Sequence, residues 1–171
     1  MEYGCLRSIG ESKYKLGGAL YVSRERSRGF AHERDLVRRL WKHGLAVIRA
    51  PASGSRARTV LYPDIVAIYK GKVVAIEVKT AKTPRSIYIE SIQVEKLLEF
   101  VNRAGGEAFI AVKVIGTGEW IFVPVSKLER TEGGNYKLSK DYITSGIKLE
   151  ALISLIKGVK RITDFAKSEN Q

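Results

Sequence analysis

Apolar and polar positions along the chain change spacing from helical to alternating and back. Between Gly29 and His43 the apolar residues Leu36, Val37, Leu40 and Trp41 recur at i, i+4 spacing and Gly44 follows as a stop, which predicts an amphipathic helix. Residues 45–50 form a short apolar run, a predicted strand, and lead into a polar loop over 51–59. Two apolar runs, Ile65-Val66-Ala67-Ile68 and Val73-Val74-Ala75-Ile76-Glu77-Val78-Lys79, flank the turn Lys70-Gly71-Lys72 and predict a β-hairpin. Ile87-Tyr88-Ile89 precedes a second helix with the stripe Val94, Leu97, Leu98 and Val101, ended by Gly105-Gly106. Strands are expected over 108–114 and 119–123, joined across Gly116-Thr117-Gly118, and Pro124 stops the second. Residues 125–147 read as irregular, with a turn at Gly133-Gly134-Asn135. From Leu149 to about Phe165 a closing helix places Leu149, Leu152, Ile153 and Ile156 on one side, weakened by Gly158, with Lys157, Lys160 and Arg161 as a solvated face. There is no internal repeat, and the order of elements describes one mixed α/β domain, expected over 29–167 with a tail at 168–171.

The polar interruptions of the hairpin need a reason. In a strand, Val73, Ala75, Glu77 and Lys79 share one side and Val74, Ile76 and Val78 the other, so Glu77 and Lys79 project together. Asp64 stands where the preceding strand starts, and pairing across the turn brings it near Glu77. Two carboxylates and a lysine at a strand end have the ingredients of a divalent-metal phosphodiesterase site. Mg2+ takes oxygen ligands, activates a bound water and clamps phosphoryl oxygens, while a lysine orients the water or offsets transition-state charge. The plain alternative is a partly buried ion-pair network without chemistry, because buried charges are normally paired.

Other residues admit two readings each. Glu33 lies on the buried side of the first helix near its beginning, either as a first-turn acid favoured by the helix dipole or as a third acid aimed at the same interior. The loop Pro51-Ala52-Ser53-Gly54-Ser55-Arg56-Ala57-Arg58-Thr59 carries hydroxyl, backbone N–H and guanidinium donors suited to phosphates, the alternative being an ordinary solvated loop. Lys82 and Arg85 add positive charge at the same end of the sheet. Gln93 and Lys96 flank the second helix's stripe and point to the site or to solvent; for Lys96 solvent is the plainer reading.

Composition narrows the partners. A chain of 171 residues with 44% hydrophobic content supports one domain with a real core and excludes general disorder. A net charge of +12 and a pI near 9.9 imply an anionic partner, nucleic acid first and an anionic membrane surface second. No apolar run is long enough to span a bilayer, and the first residues lack the apolar core of a secretory signal. A single cysteine, Cys5, cannot form an internal disulfide and suits a reducing cytoplasm; two histidines and one cysteine leave no zinc spacing. Residues 1–28 lack clear periodicity apart from a short candidate strand at 19–22, and end in the basic run Arg24-Glu25-Arg26-Ser27-Arg28. They read as an extension, either an arm that touches nucleic acid or a gene-start artefact.

Asp64, twelve residues, then Glu77-Val78-Lys79 resembles the core motif of the PD-(D/E)xK nuclease superfamily. More specific strings accompany it: Arg28-Gly29 with Ala31-His32-Glu33-Arg34, Gly44-Leu45-Ala46-Val47-Ile48-Arg49-Ala50-Pro51-Ala52-Ser53-Gly54-Ser55, and Pro63-Asp64-Ile65-Val66-Ala67. Together they resemble the archaeal Holliday junction resolvases of the Hjc type, from about Arg26 through the final helix. The resemblance implies a restriction-endonuclease-like α/β core, a five-stranded mixed sheet flanked by helices, in a homodimer with two active sites. Each site would nick one of two symmetry-related strands of like polarity in a four-way DNA junction, with Mg2+ as cofactor and Mn2+ able to substitute. It assigns Glu33, Asp64 and Glu77 to the metal, Lys79 to the attacking water or transition state, and Ser53 to catalysis, which moves Glu33 from the dipole reading to the site. Arg34 and Arg49 match positions implicated in DNA contact, and Ser55, Arg56, Arg58 and Lys82 are expected to join them. No base-reading element is evident, so recognition by shape and phosphate geometry is expected. A cytoplasmic, nucleoid-associated enzyme away from membranes follows, with other recombination or replication proteins open as partners; an N-terminal extension of some twenty-five residues lies outside the family pattern, its role open. The competing readings are a repair or restriction-type nuclease on other DNA, a junction-binding protein without catalysis, and a membrane-surface protein.

Overall fold

The hairpin around Gly71 forms the middle of the main sheet. In the computed structural model, which describes residues 29–50 and 62–158, β2 (Ile65–Tyr69) pairs antiparallel with β3 (Lys72–Ala81), from Ile65 against Ile76 to Tyr69 against Lys72. Lys70 (φ 47°) and Gly71 (φ 84°) both adopt the left-handed conformation that a tight two-residue hairpin requires. Outside β2, β1 (Ala46–Arg49) pairs antiparallel and forms one edge. On its other side β3 pairs parallel with β5 (Glu107–Val114). A parallel pair needs a long crossover, and α2 (Ser91–Ala104) supplies it. Next come β6 (Glu119–Pro124), antiparallel to β5, and at the far edge β9 (Ile147–Lys148). The five strands expected are thus present, and the two-residue β9, too short to show a period, makes a sixth.

Two apolar clusters pack against opposite faces of this sheet. One holds Val74, Ile76, Phe109, Ala111 and Phe122 under α1 (29–42), with Leu36 and Leu40, and under α4 (Leu149–Lys157), with Leu152 and Ile156. The other holds Ala75, Ile110, Val112, Ile121 and Val123 under Val94 and Leu97 of α2. Burial on both faces explains why β3 and β5 read as near-continuous apolar runs. Among the described residues the second face is only partly covered: Ile48 of β1 is 61% exposed, and Val66 and Ile68 of β2 are half-buried and belong to neither cluster.

Three expectations are corrected. Residues 125–147 are structured: a 3₁₀ turn (Val125–Lys127), β7 (Glu129–Arg130), β8 (Tyr136–Leu138), α3 (Lys140–Ser145) and the start of β9. With β4 (Ile87–Ile89), strands β8 and β7 form a separate three-stranded antiparallel sheet; pieces of two to six residues leave no period to detect. Trp41 is 64% exposed and Leu98 44% exposed, because Trp41 lies about 140° around α1 from Leu36 and Leu98 sits at the margin of its stripe. Gly158 ends α4, its left-handed backbone directing its N–H to the carbonyls of Leu155 and Ser154. The expected strand at 19–22, the basic run before Gly29, the 51–59 loop, Lys160 and Arg161 lie outside the described residues. Among the described residues no helix is long and apolar enough to cross a membrane.

At the junction of α2 with β5, a methyl group on Gly106 would overlap the Val73 carbonyl oxygen, which is backbone at the start of β3. Gly106→Ala is expected to cost about 1–3 kcal/mol. Urea unfolding would show it as a lower midpoint at unchanged slope.

Candidate active site

Strand β2 begins only at Ile65, so its ladder with β3 reaches no further on this side, whereas β3 continues beside β5 as far as Ala81. The step this leaves is where the acids gather. Pro63 keeps the preceding backbone extended, and the Asp64 carbonyl accepts a hydrogen bond from Ala50 N–H at 2.9 Å, tying the position to the end of β1. Asp64 Oδ2 then accepts from the Val78 N–H at 2.8 Å, a donor that β2 no longer reaches. Continuing the register by one pair sets Asp64 opposite Glu77, on the sheet face that α2 covers.

Glu77 is the one charged or polar side chain among the described residues that is buried, at 8% exposure. Lys79, two residues on and on the same side, donates from Nζ to Glu77 Oε1 at 2.8 Å and to Gln93 Oε1 of α2 at 2.9 Å. Burial pushes the Glu77 carboxyl above its ordinary range, and the Asp64 charge adds to the rise; Lys79 and Lys96 pull against it. Glu33, in the first turns of α1, approaches from the opposite face of the sheet. Its Oε2 accepts from Arg49 Nη1 at 2.9 Å, and that guanidinium also lies 5.8 Å from the Phe30 ring centre. Burial raises the Glu33 carboxyl too, opposed by the Arg49 bond and reinforced by Asp64.

The structure therefore brings Glu33, Arg49, Asp64, Glu77 and Lys79 to one end of the sheet. Arg34 and Lys82 are exposed beside it, while Ser53, Ser55, Arg56 and Arg58 lie outside the described residues. Gln93 points to the site by its bond to Lys79, and Lys96, read from sequence as solvent-facing, is half-buried and acts on Glu77. The signal for both was available: they stand three apart on α2, so they share a face and point the same way.

The donor set suits a hard cation. It consists of carboxylate oxygens, and among the described residues Asp64 Oδ1 and Glu77 Oε2 carry no hydrogen bond. As they stand, no three acidic, histidine or cysteine side chains among the described residues are drawn into a closed cage. Arg49 holds Glu33 and Lys79 holds Glu77, so each of the two glutamates has its own counter-charge.

The family model described as archaeal Holliday junction resolvase (Hjc) matches residues 24–161. The chain belongs to the Hjc family. Among its Hjc relatives, the crossover junction endodeoxyribonuclease Hjc of Sulfurisphaera tokodaii is 42% identical over 135 residues, covering 79% of this chain and 92% of that protein. The Hjc of Sulfolobus acidocaldarius is 38% identical over 133 residues, 78% of this chain and 91% of that protein. The solved structure of Archaeoglobus fulgidus Hjc, a Holliday junction resolvase from an archaeal hyperthermophile, matches with a TM-score of 0.66 and 37% identity, over 73% of this chain and 99% of that one. The mixed sheet flanked by helices is thus the restriction-endonuclease-like fold expected from the sequence. Glu33, Asp64, Glu77 and Lys79 all fall inside the Hjc span, and residues 1–23 fall outside it.

The raised acids carry a cost whose sign is fixed. A carboxyl with a folded pKa above its unfolded one favours folding most below the ordinary value of 4.5, and that contribution is lost as pH rises through the folded value. Without divalent cations, Glu77→Gln is therefore expected to melt above the wild type at pH 7, by about 2–4 °C for each kcal/mol relieved. The gap should close as pH falls toward 4.5. Melting curves in EDTA across that range check it.

Proposed function

We propose that the chain is a structure-specific endodeoxyribonuclease that resolves four-way (Holliday) junctions by metal-dependent paired nicks in strands of like polarity. The observation that carries this reading is the meeting of Asp64, Glu77 and Lys79 at the end of β3 in a chain of the Hjc family. Asp64 and Glu77 would hold Mg2+, or Mn2+ in its place, with Glu33 as the third acid. When bound, such a cation supplies an activated water and neutralises charge on the phosphate.

The remaining chemistry belongs to the side chains. The Lys79 ammonium has three donors; Glu77 and Gln93 take two, which aims the third at the scissile phosphate or the attacking water. Gln93 thereby fixes the ammonium's direction, and Lys96 offsets the crowding of acids around Glu77. Of the five N–H donors of Arg49, one goes to Glu33, and the others serve the DNA backbone together with Arg34 and Lys82. Ser53 in catalysis, and Ser55, Arg56 and Arg58 in phosphate contact, are assigned from their place in the Hjc-like string. With net charge +12 and no base-reading element among the described residues, junction choice rests on shape and phosphate spacing. The enzyme would act on cellular DNA in the cytoplasm, where other recombination or replication proteins are its natural neighbours.

A homodimer is supported by the part of the sheet that no described residue covers. Ile48, Val66 and Ile68 lie on the same face as Glu77, separated from it along the strands. A second copy covering that face about a two-fold axis would set two sites at a fixed separation, matching the two-fold symmetry of a junction. Ile48→Asp with Ile68→Asp is expected to give a monomer by sedimentation and to uncouple the two nicks; a dimer that persists would move the interface elsewhere.

The deciding experiment is cleavage of an immobile four-way junction by the wild type and by Asp64→Asn, each with Mg2+ or EDTA. Paired symmetric nicks are expected, lost in EDTA and slowed roughly 10²–10³-fold or more in the variant, which should still bind the junction. Tight binding without any cut would favour an architectural role, and equal cutting of linear duplex would remove the junction specificity.

A further inference from the structure

Helix α1 is fastened to the sheet on both flanks. Glu33 and Asp35 are two residues apart, so they stand about 160° from each other around the helix axis. Glu33 bonds to Arg49 of β1 on one flank. On the other, Asp35 Oδ2 accepts a hydrogen bond from Trp120 Nε1 of β6 at 3.0 Å, across 85 residues of chain. The indole is only 4% exposed, and a buried N–H must find a partner. Its surroundings hold it in place: Lys113 Nζ of β5 lies 5.2 Å from the Trp120 ring centre and 3.8 Å from Asp35 Oδ2, and donates to the Gly118 carbonyl at 2.6 Å. Arg39, one turn along α1, donates to both Asp35 oxygens at 3.0 and 3.1 Å.

Between the flanks, Leu36 and Leu40 pack on the sheet. Apolar contact is non-directional, so it sets the height of α1 above the sheet and leaves rotation about the axis weakly specified. A 20° turn of a helix moves the tips of its side chains by about 2 Å, more than a hydrogen bond tolerates. A turn that carried Glu33 away from Asp64 would break the Asp35–Trp120 bond. Neither Asp35 nor Trp120 has a part in the chemistry proposed above.

We propose that Asp35 and Trp120 are positioning residues for Glu33: their buried hydrogen bond sets the rotation of α1 and so the place of the third acid in the site. This rests on the junction-cleaving reading, and the test separates the two. Single-turnover cleavage of a pre-bound junction with Mg2+, junction affinity in EDTA and Mn2+ affinity by calorimetry without DNA are compared for the wild type, Trp120→Phe, Asp35→Ala, Asp35→Asn and Trp120→Phe with Asp35→Ala. Trp120→Phe keeps the ring and loses the N–H. It is expected to slow cleavage about ten- to hundredfold, to weaken Mn2+ several-fold and to leave junction affinity within twofold. Asp35→Ala should match it, Asp35→Asn should recover part of the rate by offering the indole an amide oxygen, and the double variant should be no slower than Trp120→Phe. The exposed Trp41→Phe is the control and should cut at the wild-type rate.

A wild-type rate and Mn2+ affinity in Trp120→Phe would overturn the proposal. So would multiplying effects in the double variant, or equal loss of cleavage and junction affinity. Should Trp120→Phe fail to fold, the contrast between Asp35→Ala and Asp35→Asn decides, equal rates counting against it. A wild type that binds Mn2+ but cuts no junction would sink the proposed substrate, and the Mn2+ affinity of Trp120→Phe would still decide the role of Trp120.

Discussion

A strand that outruns its neighbour leaves backbone donors without partners, and this sheet meets that shortage with a carboxylate. Asp64 Oδ2 takes the Val78 N–H where β2 has ended, doing for one rung of the ladder what the strand no longer does. The bond fixes Asp64 from both sides, because its own carbonyl is already held by Ala50. Everything else at the site is placed relative to that step. Glu77 stands across from it, Lys79 follows two residues later on the same face, and α2 brings Gln93 and Lys96 against the pair.

The same arrangement is electrostatically expensive. Glu77 is buried and faces a second carboxylate, and Lys79 and Lys96 only partly offset that. A fold built for stability alone would put an apolar side chain there, as at Ala75 one step earlier on that face. The charge is tolerated because the rest of β3 is anchored on both faces by the two apolar clusters. The cost sits at one end of a strand whose middle is buried on both faces.

Much of this was legible in the sequence because it is local. The hairpin declared itself by two apolar runs about Gly71, and Glu77 and Lys79 stood out as polar positions on an apolar face. Glu33 was ambiguous for a physical reason: an acid in the first turn of a helix serves the dipole wherever it points, and its direction depends on Arg49, 16 residues away, and on Asp64 beyond it. Lys96 was misread because a lysine beside an apolar stripe is usually solvated, and only the buried Glu77 on β3 gives its charge a role. The three-stranded sheet was illegible because each strand is two or three residues long and β4 meets β8 only across some fifty residues of chain. Trp120 carried no sequence signal beyond being aromatic in a strand, since its bond to Asp35 spans the chain.

The tight turn at Lys70-Gly71 also orders the assembly of the site in time. Closing a short hairpin costs little chain entropy, so the Asp64–Val78 bond, 14 residues apart, is expected to form early in folding. The Lys79–Gln93 bond needs α2, and the Trp120–Asp35 bond needs β6 to have joined the sheet. The rotation of the helix that carries the third acid is thus fixed late, by the bond with the longest loop to close. Conditions that fray the far side of the sheet would free that rotation while the hairpin still held Asp64 and Glu77 face to face.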